Sequence, residues 1–172
     1  RRVLFRSRAS GVPFDGYSVT LPPFADGYPA TANAAFVPHA DLLGLLNVRF
    51  VTAEYDLDVD GLTFLARFWE TRLYENRLAL PRAWVQPSTS SLGENYSLVD
   101  DLTWSPNRIE IEARGPGLLV LSEIAYPGWS VWVDGRRQTL LNPGGILRGV
   151  ELPSGAHRVV FLFRPISLYL GL

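Results

Sequence analysis

Carboxylates fall at alternate positions along Glu54-Tyr55-Asp56-Leu57-Asp58-Val59-Asp60-Gly61. Asp at the first, third and fifth places with Gly at the sixth is how a calcium-binding EF-hand loop begins, because alternate hard oxygen ligands converge on one ion and the Gly permits the sharp turn. The twelfth place needs a bidentate Glu, and Arg67 stands there. The segment also follows a strand-like run, not a helix. The expectation is an acidic surface loop closed at Gly61, with no metal site.

Acid–base pairs come next. Glu110 and Glu112 lie on one side of a strand-like run, about 7 Å apart by strand rise, a spacing compatible with an inverting glycosidase pair. Alternating Glu on a solvated strand face is the ordinary reading, and the pair is assigned no role. Asp100-Asp101 has no His beside it in sequence. The chain has no nucleophile elbow, P-loop or dinucleotide fingerprint. Asn95-Tyr96-Ser97 has the form of a glycosylation acceptor, a tripeptide common by chance. With no Cys and two distant His residues (His39 and His157), no thiolate chemistry or local His cluster is available. No catalytic residue, metal ligand or cofactor site is assigned.

The aromatic run Tyr126-Pro127-Gly128-Trp129-Ser130-Val131-Trp132 is the remaining lead. Asp134-Gly135 suits a two-residue type I′ hairpin, which would pair Val133 with Arg136, Trp132 with Arg137 and Trp129 with Leu140. Trp129, Val131, Val133 and Leu140 then share the core face. Ser130, Trp132, Arg137 and Thr139 share the other. Trp132 is therefore expected to be exposed and stacked on Arg137. Tyr126, Trp132 and Arg137 form the candidate ligand site, since exposed aromatic rings stack on sugars and also favour lipid headgroups or a neighbouring domain.

Elements that could position these residues follow from pattern. At 172 residues with 47% apolar content, the chain is long enough for one domain with a small elaboration. A net charge of −1 argues against nucleic acid as a partner, which requires clustered cations. Residues 10–38 are rich in proline and should be irregular, held down by Tyr17, Phe24, Tyr28 and Phe36. A short helix is expected after Pro38, with Leu42, Leu45 and Leu46 on one face and an end near Asn47. Strands are expected over 48–53, 63–70 and 72–74.

From residue 82 onward the signal is β. Strands are expected at 82–86, 108–113, 118–123, 129–133, 136–141, 147–152 and 157–163. Gly115-Pro116-Gly117, Asn142-Pro143-Gly144-Gly145 and Pro153-Ser154-Gly155 read as turns between them. Short strands at this spacing predict a mainly β chain, an antiparallel β-sandwich of jelly-roll kind. Its interior should hold Ile109, Ile111, Leu119, Leu121, Trp129, Val131, Val159, Phe161 and Phe163. The domains are then a proline-rich α+β elaboration over 1–81, the sandwich over 82–165, and an apolar run over 166–172. That run, and the lack of any Met, suggest a piece of a longer protein whose next segment enters a membrane.

Several stretches resemble the bacterial YfhO-like membrane proteins. They are Leu121-Ser122-Glu123-Ile124-Ala125-Tyr126-Pro127-Gly128-Trp129-Ser130-Val131-Trp132-Val133-Asp134-Gly135, Leu152-Pro153-Ser154-Gly155-Ala156-His157-Arg158-Val159-Val160-Phe161, and Phe163-Arg164-Pro165. Leu42-Leu43-Gly44-Leu45-Leu46-Asn47-Val48-Arg49-Phe50-Val51, Tyr74-Glu75-Asn76 and Leu80-Pro81-Arg82-Ala83 are similar in order and spacing. The resemblance covers residues 40–170 and does not reach the proline-rich start.

It implies an extracytoplasmic portion, ahead of a final membrane helix, of a polytopic protein that resembles polyprenyl-phosphate-sugar glycosyltransferases. The catalytic carboxylates of such transferases are expected in membrane-proximal loops, so none is carried onto this chain. The implied role is non-catalytic: acceptor recognition or domain assembly during cell-envelope glycan transfer, with the parent membrane protein and a glycan or lipid-linked sugar as partners. The alternative is a carbohydrate-binding module of a secreted glycan-active enzyme.

Overall fold

A computed structural model of the chain describes residues 37–165, so the expected anchors in the proline-rich start and the apolar run over 166–172 lie outside the described residues. The chain divides into two compact units, one ending at Leu80 and the other beginning at Pro81.

The first unit has one helix, α1 (Ala40–Leu45), and an antiparallel sheet of β1 (Phe50–Ala53), β2 (Leu62–Phe68) and β3 (Thr71–Asn76) in the order β1-β3-β2. The helix buries Ala40, Leu43 and Gly44, not the expected face of Leu42, Leu45 and Leu46. Close backbone approach is the reason. A Cβ at position 44 would lie 2.1 Å from the Leu78 carbonyl oxygen, and the Leu80 amide donates to the Gly44 carbonyl at 3.1 Å. Only Gly fits there. Buried Asn76 then ties strand to helix: its Nδ2 donates to the carbonyls of Ala40 and Val48, and its Oδ1 accepts from the Leu78 amide.

The second unit is antiparallel β throughout. It contains β4 (Ala83–Gln86), β5 (Ser97–Leu98), β6 (Asp101–Ser105), β7 (Arg108–Ile124), β8 (Trp129–Val133), β9 (Arg136–Gln138) and β10 (Leu147–Phe163). The order is β5-β4-β7-β10-β8-β9, with β6 also on β7. Two expected turns are corrected here. Gly115-Pro116-Gly117 lies inside β7 and Pro153-Ser154-Gly155 inside β10, so four expected strands are two long ones. They pair from Leu147↔Ile124 to Leu162↔Arg108, with a register shift between Leu152 and Gly155. Glycines let the two backbones meet at that irregularity: a Cβ on Gly115 would lie 2.0 Å from the Pro153 carbonyl oxygen, and Gly155 holds φ +116°. A bulge of this kind bends a strand pair without ending it.

The bend separates two leaves. One leaf holds β6, residues 108–114 of β7, residues 155–163 of β10, β8 and β9; the other holds β5, β4, residues 117–124 of β7 and residues 147–152 of β10. One core cluster draws on both: Ile109, Ile111, Ala113, Val131, Val133, Val159 and Phe161 from the first, Ala83, Val85, Leu119, Leu121, Val150 and Leu152 from the second. These residues all lie on strands, so the leaves cover each other, which makes the unit β-sandwich-like. Seven of the nine expected interior residues are buried; Trp129 and Phe163 are half-buried. They form the last pair of the β8–β10 ladder, at the end of the leaf.

Candidate functional site

The β8–β9 hairpin forms as its turn chemistry dictates. Asp134 and Gly135 hold φ of +50° and +77°, the signs a type I′ turn needs. The register is Val133↔Arg136, Trp132↔Arg137 and Val131↔Gln138; the expected Trp129–Leu140 pair lies beyond the end of β9.

Cross-strand partners project to the same face of a sheet. Val131, Val133 and Phe161 point inward, so Trp132 and its neighbour Val160 point outward. Glu110 pairs with Val160 and Thr103 with Glu110, which extends the outward row as Thr103–Glu110–Val160–Trp132–Arg137. Trp132 is half-buried on this row, where an exposed ring was expected. The cation–π pairs fall elsewhere among the described residues: Arg49 with Phe50, Arg82 with Trp104 and Arg148 with Trp129. Arg137 adjoins Trp132 by register without stacking on it.

Charged groups share this outward face. Glu110 accepts from both Arg108 and Arg158. Those two guanidinium groups, Arg108 first, hold its carboxyl below the ordinary carboxylate range. A carboxylate committed to two arginines is poorly suited to donate a proton, which removes the motive for pairing Glu110 with Glu112. Asp100 and Arg114 form a further ion pair at 3.1 Å.

Tyr126 lies elsewhere. It is 63% exposed and its ring packs on Phe163, 6.5 Å between centroids. Phe163 in turn meets Trp129 at 5.2 Å, and the Arg148 guanidinium lies 3.6 Å from the centre of the Trp129 ring. Phe163 and Trp129 share the inward face of their leaf, so Tyr126 and Trp132 serve different faces. The structure brings together two of the three expected residues.

Arg148 is the residue that sequence reasoning missed. Its side chain is 4% exposed, its Nε donates to the Ile124 carbonyl at 2.9 Å, and Glu123 stands 3.5 Å from Nη2. Burial pulls its pKa down to about 10 against the opposing pull of Glu123. Glu123 also accepts from Arg82, whose guanidinium covers Trp104. An Arg within an apolar strand was the available signal, since a buried cation must be paired.

The acidic loop is accounted for locally. Asp56 receives Arg72 Nε at 2.6 Å and Nη2 at 3.4 Å, and Arg72 Nη1 also donates to the Glu54 carbonyl. A guanidinium thus occupies the carboxylate at the first calcium-ligand position. Among the described residues no group of His, Asp and Glu is placed to hold a metal.

Among known proteins, the chain matches no family model, no curated protein and no solved structure. Fold and side-chain placement together define a mainly β, antiparallel, sandwich-like domain whose first leaf carries an aromatic residue within an ion-paired outward face.

Proposed function

We propose that the chain is a non-catalytic recognition and assembly domain on the extracytoplasmic face of a bacterial cell membrane. In this reading it belongs to a YfhO-like polytopic protein and supports cell-envelope glycan transfer by engaging the acceptor or a neighbouring domain. The observation that carries the reading is the cross-strand pair Trp132–Arg137 on an outward sheet face, beside the Arg108–Glu110–Arg158 ion pairs. An aromatic face offers a flat apolar surface to a sugar ring, while adjoining guanidinium and carboxylate groups bond its hydroxyls. The sequence resemblance over residues 40–170 supplies the membrane context. Among the described residues no helix is long and apolar enough to cross a membrane.

Titration of the chain with soluble cell-wall glycan fragments, followed by calorimetry, tests the proposal. Binding should weaken by about tenfold or more in Trp132→Ala, the loss expected of an aromatic anchor, and hold in Tyr126→Ala. Equal affinity of Trp132→Ala and the unaltered chain would remove this face from recognition. The same face would serve a carbohydrate-binding module of a secreted enzyme. The parent gene beyond Leu172 separates the two readings: an apolar membrane helix supports the first, a polar linker the second.

A further inference from the structure

His157 sits where the β8–β9 turn meets the irregularity of β10. Its Nδ1 lies 2.7 Å from Oδ2 of Asp134, and its Nε2 lies 3.1 Å from the carbonyl oxygen of Pro153. A carboxylate and a carbonyl oxygen can only accept. Neutral imidazole has one N–H and can satisfy one of these contacts; imidazolium satisfies both. The other oxygen of Asp134 accepts from the Arg158 amide at 2.9 Å, and the Asp134 amide donates to the Arg158 carbonyl at 2.9 Å. One carboxylate therefore joins the turn, the imidazole and the β10 backbone.

We propose that His157 is a pH-operated clasp that fastens the β8–β9 turn to the bend of β10, closed when both ring nitrogens carry protons and Asp134 is ionised, and released when either condition is lost. The hairpin so fastened is the one that presents Trp132 and Arg137, but the clasp stands on its own contacts whether or not that face binds glycan.

Charges of both signs lie near the ring. Asp134 bonds it directly; Arg136 stands on the turn beside Asp134, and Arg158 follows His157 on β10 with its guanidinium on Glu110, on the opposite sheet face. On β7, Ala113 is the cross-strand partner of His157 and is flanked by Glu112 and Arg114, with Asp100 paired to Arg114. Asp100, Glu112, Arg114, His157 and Arg158 line a cleft of about 260 Å³, which gives water a route to the imidazole. The direct bond to Asp134 dominates. It raises the proton affinity of His157 above its ordinary 6.5, against the opposing effect of burial. The same contact, followed by the Arg158 amide, lowers Asp134 below its ordinary 3.8.

The signs follow from linkage. A His raised on folding contributes its full stabilisation below 6.5 and loses it as pH rises through the folded value. An Asp lowered on folding contributes above 3.8 and loses that contribution as pH falls through its own folded value. The clasp is therefore closed between the two and opens at either end.

An NMR titration of the His157 ring in the full chain tests the clasp. Its inflection should lie above 6.5, with both ring nitrogens protonated below it. Asp134→Asn should move the inflection down; Asn tolerates positive φ, so the turn survives this change. Protection of the Asp134 and Arg158 amides from exchange should fall by up to about tenfold per pH unit between 6.5 and the folded value. In His157→Gln it should be flat over that range. An inflection at or below 6.5, no movement in Asp134→Asn, or pH-independent protection in the unaltered chain would each overturn the proposal.

Discussion

The outward faces of the two leaves begin from nearly the same local sequence. Ala83-Trp84-Val85 and Val131-Trp132-Val133 each place a tryptophan between two small apolar residues that point into the core. Trp84 is 0% exposed, whereas Trp132 is half-buried. The difference lies in what the chain does next. After β4 the segment over 87–96 folds back across the leaf, with Gln86 as its hub. The Gln86 Oε1 accepts from Trp84 Nε1 at 2.8 Å and from the Gly93 amide at 2.9 Å, while its Nε2 donates to the carbonyls of Ser90 and Ser91. All four bonding positions of the amide are used, as a buried Gln requires. Tyr96 adds a ring contact 6.2 Å from Trp84. After β8 the chain turns at once through Asp134-Gly135 into short β9, leaving its face to ion pairs and solvent. One face is sealed by its own chain and the other is left half open.

Substitutions at matched positions sharpen or break that contrast. Trp84→Ala should have the largest effect, about 3–5 kcal/mol in denaturant melts, because a fully enclosed ring leaves a cavity. Gln86→Ala should follow at about 1–3 kcal/mol, since the Trp84 N–H and the Gly93 amide lose their acceptor. Faster hydrogen exchange at Gly93 would show that the covering segment has loosened. Trp132→Ala should cost about 1 kcal/mol, the ordinary scale for a single substitution. Arg137→Ala should change stability by less than about 0.5 kcal/mol, as surface substitutions do. If the two tryptophan variants destabilise equally, the open face is as structural as the closed one. If Arg137→Ala proves the more costly of the β8–β9 pair, the cation and not the ring organises that face.

Much of the sandwich was legible because its signals are local. Strict alternation through Ile109-Glu110-Ile111-Glu112-Ala113 determines which side chains are buried once any sheet forms, since successive Cβ atoms point to opposite faces. Asp134-Gly135 determines the hairpin register, since two residues at positive φ permit one tight turn that matches strand twist. These features alone place Trp132 opposite Arg137. Other decisions needed partners distant in sequence. Gly115-Pro116-Gly117 has the composition of a turn, yet it continues β7 because β10 lies opposite and supplies the pairing. Gly44, not Leu42, meets the rest of its unit because the Leu78 backbone passes there. The same is true of burial and charge. Trp84 is enclosed by residues up to twelve positions later, Arg148 is held by Trp129 and Glu123, and His157 gains its second acceptor only where Asp134 returns to β10. Periodicity and turn type are properties of neighbouring residues, so the sequence alone determined strands, hairpin and inward faces. Cover, stacking and proton affinity depend on groups brought together through space, and only the tertiary structure decided them.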